Sequence, residues 1–330
     1  MAPQAFINGI DLKCCKSEES RSTFGRNPSR LSLLREILRM AEAVTRNILT
    51  LDIEGWYQSS LEILGPEHKK IPLTALPDER VVCNTRRLLH ILEEYDVKVT
   101  CFVLGSVAET YPNLVREIHN SGHEVATHGY AHELVYKLTP DQFRDDLRRS
   151  TKLIESIIGE KVDGYRAPYF SITEESEWAL EVLEDLELHY DSSIFPIKRT
   201  LYGFTGFGRF PHFIKIKNGG SLLELPVSTI TFLKKTFPIG GGGYFRLLPY
   251  ALIQKAIRTI NIKGQPAVFY LHPYELDTEE LRNPFPGETW KTRLVRLSQG
   301  MNRGKTEMKL RRLLADFAWT SVGRWLSEKN

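Results

Sequence analysis

The sequence predicts an α/β fold built on parallel strands, barrel-like or doubly wound. Three observations carry this expectation. Short apolar, β-branched runs alternate along the chain with segments of helical period, helix-cap signals stand between them, and 330 residues, 42% of them hydrophobic, supply a sizeable core. That length suits either two domains or one α/β barrel.

Residues 1 to about 28 are polar, lack periodicity and contain Asn27-Pro28, so they read as an extension. From Ser32 to Thr45, Leu33, Leu34, Ile37, Leu38, Met40 and Ala41 recur at helical spacing and predict an amphipathic helix. Ile48 to Leu51 is a short apolar strand, Asp78 to Tyr95 a helix and Val97 to Leu104 a buried strand. A helix from Tyr111 to Ser121 ends at Gly122, and Glu124 to Thr127 is extended. Thr139 then opens a helix from Pro140 to Ile158 that Gly159 closes. Strands at Gly164 to Tyr165, Tyr190 to Asp191, Leu222 to Leu225 and Ala267 to Leu271 follow, with helices at Glu174 to Leu186 and Pro249 to Ile260. Pro284, Pro286 and Gly287 mark a loop, and Lys305 to Leu326 reads as a basic helix pair with a solvated face, an appendage wrapped on the barrel. The expected division is an extension and helix over 1–46, a catalytic domain over 47–277 and a helical extension over 278–330.

With 44 Lys+Arg against 41 Asp+Glu, the net charge of +3 excludes a protein driven by polyanion binding. Cys14, Cys15, Cys83 and Cys101 are too few and too irregular for a disulfide framework or a metal knuckle. Neither a secretory leader pattern nor an 18-residue apolar run is present, so the expected location is cytoplasmic, with peripheral membrane contact left open.

The chemistry-bearing residues follow strands, where parallel α/β folds collect their sites. Asp52 and Glu54, two apart, present both carboxylates to one side of an extended chain, a costly arrangement unless a cation or a proton is shared. His128 and His132 share a face if their segment turns helical, and with a carboxylate they make a two-histidine, one-carboxylate metal set. His123 reads as structural. Arg166, before Ala167 and Pro168, can grip a carboxylate in bidentate fashion, and backbone N–H groups beyond the proline can face an oxyanion. His272 ends a strand ahead of Pro273 and suits a general acid, which Asp191 could orient. The run Gly240 to Gly243 lacks the Lys-Ser/Thr of a phosphate loop. It reads as a loop over the barrel mouth whose backbone approaches substrate, with Tyr244 or Phe245 stacking on a sugar. Trp56 and Tyr57 are further candidate sugar platforms.

In this order the motifs Asp-x-Glu, His-Gly-Tyr-x-His, Arg-Ala-Pro-Tyr, Asp-Ser-Ser and Leu-His-Pro resemble the five motifs of the polysaccharide deacetylase family, the one with the NodB homology domain, over about Ile48 to Asp277. The runs Phe102 to Gly105, Tyr165 to Ser171, Asp191 to Pro196 and Gly241 to Tyr250 resemble the branch of exopolysaccharide loci associated with exosortase, with its C-terminal extension. The resemblance implies a distorted (β/α) barrel and metal-dependent removal of acetyl from N-acetylated sugars of an exopolysaccharide or its precursor. It implies Asp52 as base, Glu54, His128 and His132 as ligands of a divalent metal, Zn2+ foremost, and Arg166 as partner of Asp52. The Tyr169 N–H would serve the oxyanion, His272 would be the acid and Asp191 its tuner. Many members have two adjacent aspartates where Ile53 separates Asp52 from Glu54 here, which leaves base and ligand exchangeable between the two. Cell-wall-trimming members are exported, and no leader is legible here. Two other readings are an amidohydrolase of small non-sugar amides or cyclic imides, and a catalytically silent carbohydrate-binding protein.

Overall fold

The computed structural model describes residues 45–64, 79–197, 202–217, 219–233, 235–284 and 288–329, with side chains throughout except at 61–64. Of the extension and helix expected over residues 1–46, only Thr45 and Arg46 lie within the described residues. Strand β1 (Asn47–Ile53) is buried along its whole length, because its apolar residues face both ways and both faces are covered. It lies between β10 (Val268–Leu271) and β2 (Thr100–Val103), and the sheet continues through β3 (Glu124–Thr127), β4 (Gly164–Tyr165), β5 (Tyr190–Asp191), β7 (Ser221–Glu224) and β6 (His212–Lys215). All of these pairs are parallel except β6 with β7. The nine-stranded sheet curls into a half-barrel. The outer edge of β10 is held by irregular backbone, with the Ser228 N–H donating to the Val268 carbonyl and the Tyr270 N–H to that of Gly240.

The helices are α1 (Trp56–Leu64), α2 (Glu79–Glu94), α3 (Gly105–Thr110), α4 (Pro112–Asn120), α5 (Pro140–Ile158), α6 (Ala179–Asp185), α7 (Gly242–Leu247), α8 (Tyr250–Asn261), α9 (Trp290–Gly300), α10 (Thr306–Asp316) and α11 (Val322–Ser327). Their caps explain their bounds. Thr139 and Gln142 form a reciprocal capping box at the start of α5, and Gly159 ends it at φ 76°. Leu88, Ile91 and Leu92 of α2 and Phe143, Leu147 and Ile154 of α5 bury one stripe each in the core. No helix among the described residues is long and apolar enough to cross a membrane.

Three features depart from expectation. The span Glu174 to Leu186 is a 3-10 turn followed by the short α6, since a capping box between Thr173 and Ser176 closes the turn. The hairpin of β8 (Thr229–Phe232) and β9 (Lys235–Pro238) stands as a separate two-stranded sheet. Between α10 and α11, β11 (Trp319–Thr320) pairs in parallel with Asn47 and Ile48 of β1, below the point where β2 begins its pairing at Thr50. The C-terminal extension is therefore more than helices packed outside, because it completes a ladder that the four-residue β2 leaves short.

Candidate metal and catalytic site

The carboxyl ends of β1, β3, β4 and β10 surround a cleft of about 210 Å3 lined by Asp52, Glu54, His128, His132 and His272. Asp52 is the penultimate residue of β1, and Glu54 follows the strand directly. One oxygen of Glu54 and one ring nitrogen each of His128 and His132 lie within 4.8 Å of one another. Asp52 sits outside this cluster and is held by Arg166, whose Nη1 donates to Asp52 Oδ1 at 2.6 Å and to Thr50 Oγ1 at 2.7 Å. The Arg166 Nε and Nη2 donate to the carbonyl and hydroxyl of Ser192, and the guanidinium lies over the Phe102 ring. Geometry thus separates the two carboxylates whose roles the sequence leaves exchangeable.

The histidine pair converges without a helix. Residues 128–134 form an irregular bend in which Gly129 and His132 take positive φ, 74° and 58°. Asp146 of α5 clamps the bend by accepting from the backbone N–H groups of Tyr130 (2.7 Å) and Ala131 (3.1 Å). The two imidazole centroids end 5.5 Å apart. His128 Nδ1 donates to the Arg166 carbonyl at 2.7 Å, which fixes the tautomer and turns Nε2 to the cluster. Burial lowers the His128 pKa to about 4, against the pull of Asp52 and Glu54. Burial would raise Glu54, but His132, His272 and His128 together hold its carboxyl at about 2.

These groups fit a divalent cation. The buried Glu54 Oε2 lies 2.7 Å from His132 Nε2 and 3.9 Å from His128 Nε2, so one carboxylate oxygen and two ring nitrogens converge on one point. Two imidazoles and one carboxylate with open space beside them are the donor set of a catalytic zinc-type site.

His272 borders the same space, with Nε2 3.4 Å from Glu54 Oε1 and 3.8 Å from Asp52 Oδ2. Its partner is Glu275, three residues on, which accepts from Nδ1 at 2.8 Å and from the His272 N–H at 3.1 Å. Burial opposes a charge on His272, yet Glu275, Glu54 and Asp52 outweigh it and raise the pKa. Asp191 is engaged elsewhere. It faces Glu224 across the β5–β7 ladder and accepts from Ser193 Oγ, so the expected tuner of His272 is replaced by Glu275. His-Pro-Tyr-Glu carries the N-cap spacing that could have revealed it. Arg246 ties Glu275 in turn to Gln299 of α9, and both line the cleft.

Tyr169, at φ 54°, borders the cleft and donates its hydroxyl to the Ser59 carbonyl. Three candidate sugar platforms sit elsewhere. Trp56 and Tyr57 are buried with Tyr274 and Leu281, and Phe245 is buried against Phe269, because these large rings fill core space. Tyr244 shares a hydroxyl hydrogen bond with Tyr202, and Tyr202 is the ring that reaches the cleft. The glycine run serves both the cleft, which Gly243 lines, and the sheet. A Cβ on Gly241 would lie 1.8 Å from the Tyr270 carbonyl, so the chain there needs glycine to pair with β10. His123, as expected, is structural and accepts from the Val99 N–H.

Residues 67–190 match the family model "Polysaccharide deacetylase", and residues 192–327 match a domain of unknown function, DUF3473. The chain carries a polysaccharide deacetylase domain. The peptidoglycan-N-acetylglucosamine deacetylase of Bacillus cereus is 31% identical over 118 residues, 36% of this chain and 43% of that protein. The chain therefore spans less than half of that curated relative. A crystal structure of a candidate polysaccharide deacetylase from Mycobacterium smegmatis superposes over 87% of this chain and 91% of that one, with a TM-score of 0.54 at 22% identity. An allantoinase structure does so over 84% and 87%, with a TM-score of 0.50 at 15% identity. At these identities both structures bear on the fold alone.

Proposed function

We propose that the chain hydrolyses the N-acetyl amide of N-acetylated sugars in an exopolysaccharide or its precursor, releasing acetate and a free amine. The observation that carries this reading is the convergence, in one cleft, of a Glu54-His128-His132 cluster, an Arg-held carboxylate and a carboxylate-held histidine. The cluster would hold a divalent ion, zinc foremost, which when bound supplies a water of lowered pKa and polarises the amide carbonyl.

The remaining work falls to the chain. Arg166 fixes Asp52 Oδ1, and Oδ2 accepts the proton of the attacking water. Glu275 holds His272 Nδ1–H, so Nε2 carries the proton delivered to the leaving amine, which departs poorly as an anion. The Tyr169 N–H serves the oxyanion. The cleft falls below the roughly 300 Å3 at which drug-sized pockets begin, so it takes one acetylated residue and leaves the rest of a polymer outside. A balanced charge suits a neutral sugar that needs no electrostatic capture.

The second reading is hydrolysis of a small cyclic amide or imide at the same Glu54-His128-His132 cluster, whose donor set does not by itself select between a sugar amide and a cyclic one. A substrate panel separates the two. Zinc-loaded protein is expected to release equimolar acetate and amine from N-acetylhexosamine oligomers and to leave cyclic imides intact, and Asp52→Asn should lower kcat by about 10²–10⁴-fold. Turnover of the imides alone, or equal acetate release by Asp52→Asn, overturns the proposal.

A further inference from the structure

Helix α9 carries an apolar surface that the described residues leave exposed. Thr292 and Arg296 are buried and Val295 packs on the Trp56-Tyr57 cluster, whereas Trp290, Leu294, Leu297 and the cap residue Met301 are 70%, 58%, 51% and 51% exposed. Successive spacings of four, three and four place these side chains on one stripe. From Trp290 to Gly300 the helix has Lys291, Arg293 and Arg296 and no acidic residue. Glu288 occupies Arg296, while Lys291 and Arg293 are exposed and make no ion pair with a described residue.

Beside the stripe lies a cavity of about 350 Å3 walled by Leu297, Met301, Arg282, Arg296 and Arg303. Arg303 is buried, with Nε donating to the Gln299 carbonyl and Nη1 to the Asp277 carbonyl and Glu280. Its Nη2 has no hydrogen-bond partner. Asp277, which also borders the cavity, is satisfied by Arg80 and Asn84, and Arg282 pairs with Glu279.

An apolar stripe ending in an indole, with exposed cations flanking it, matches the headgroup boundary of an anionic bilayer. A second copy of the chain fits less well, because a two-fold contact through this stripe would bring the same cations together. We propose that α9 is an interfacial helix that docks the chain on an anionic phospholipid surface. Gln299, on the opposite face of α9 from the stripe, lines the cleft, so docking places about one helix diameter between the lipid and that wall of the cleft. Access to a lipid-carried glycan there rests on the proposed deacetylation, but the docking itself does not.

The test is sedimentation of the full chain with phosphatidylglycerol vesicles and with phosphatidylcholine vesicles, which reads no acetate. Binding is expected to phosphatidylglycerol, about tenfold or more weaker to phosphatidylcholine and weakened by salt. Leu294→Glu with Leu297→Glu should lose binding by about tenfold or more while circular dichroism stays unchanged, since both positions are exposed. Brominated lipid should quench parent fluorescence, and Trp290→Phe should remove that quenching, a readout independent of the double variant. The proposal is overturned if the parent stays in the supernatant with phosphatidylglycerol vesicles, if the double variant binds as tightly as the parent, or if the stripe instead mediates dimerisation.

Discussion

Arg166 has no exposed surface, and all three of its guanidinium nitrogens are engaged, by Thr50, Asp52 and Ser192. Arg166→Ala would strand the buried Asp52 carboxylate, so a loss of about 3–5 kcal/mol in unfolding free energy is expected from urea titration. A loss below about 1 kcal/mol would show that the pair has little structural weight. Asp52, Glu54, His128, His132, Arg166 and His272 were legible because each stands at or beyond the carboxyl end of a strand and belongs to a recognisable motif. Glu275 was not, since a glutamate three residues beyond a histidine is common in sequences and gains meaning only when Pro273 and the turn bring it onto the ring. Asp191 was misplaced for the converse reason, because its partner Glu224 lies on a strand 33 residues later.

At the scale of elements, the strand and helix order was largely visible in periodicity and caps, with α5 marked at both ends by Thr139 and Gly159. What periodicity could not show is structure set by tertiary partners. Trp319–Thr320 is a strand only because β2 leaves Asn47 and Ile48 uncovered, and a two-residue segment has no period to read. The His128-to-His132 bend is also tertiary, since its shape depends on Asp146 reaching from α5. Asp146→Ala should therefore weaken metal affinity by about 10–100-fold while leaving the ligands in place, as measured by competition with a chromophoric chelator. Unchanged affinity would show that the bend holds its shape without the clamp.

For the whole molecule, the buried Asp191 and Glu224 carboxyls link stability to pH. Burial raises Asp191 to about 6, against its hydrogen bonds to Glu224 and Ser193, and burial together with Asp191 raises Glu224 well above the carboxylate range. With both ionised, Asp191 Oδ2 and Glu224 Oε2 would lack a donor, and a proton on Glu224 supplies one. The folded chain thus keeps protons that the unfolded chain releases from about pH 4, so stability is full below that pH and falls as pH rises through about 6 and beyond. Glu224→Gln should flatten this decline and add roughly 1–3 kcal/mol near pH 8 in urea titrations. An unchanged slope would place the titration in other groups. The division of the chain also looks different at this scale, because the extension after Asp277 reaches the cleft through Gln299 and the central strand through Trp319. The proposed chemistry depends on the cluster of Glu54, His128 and His132, and metal content measured by mass spectrometry after zinc loading and gel filtration tests it most directly. It predicts one ion per chain in the parent and none in His132→Ala, whereas a metal-free parent, or a variant that retains the ion, would contradict it.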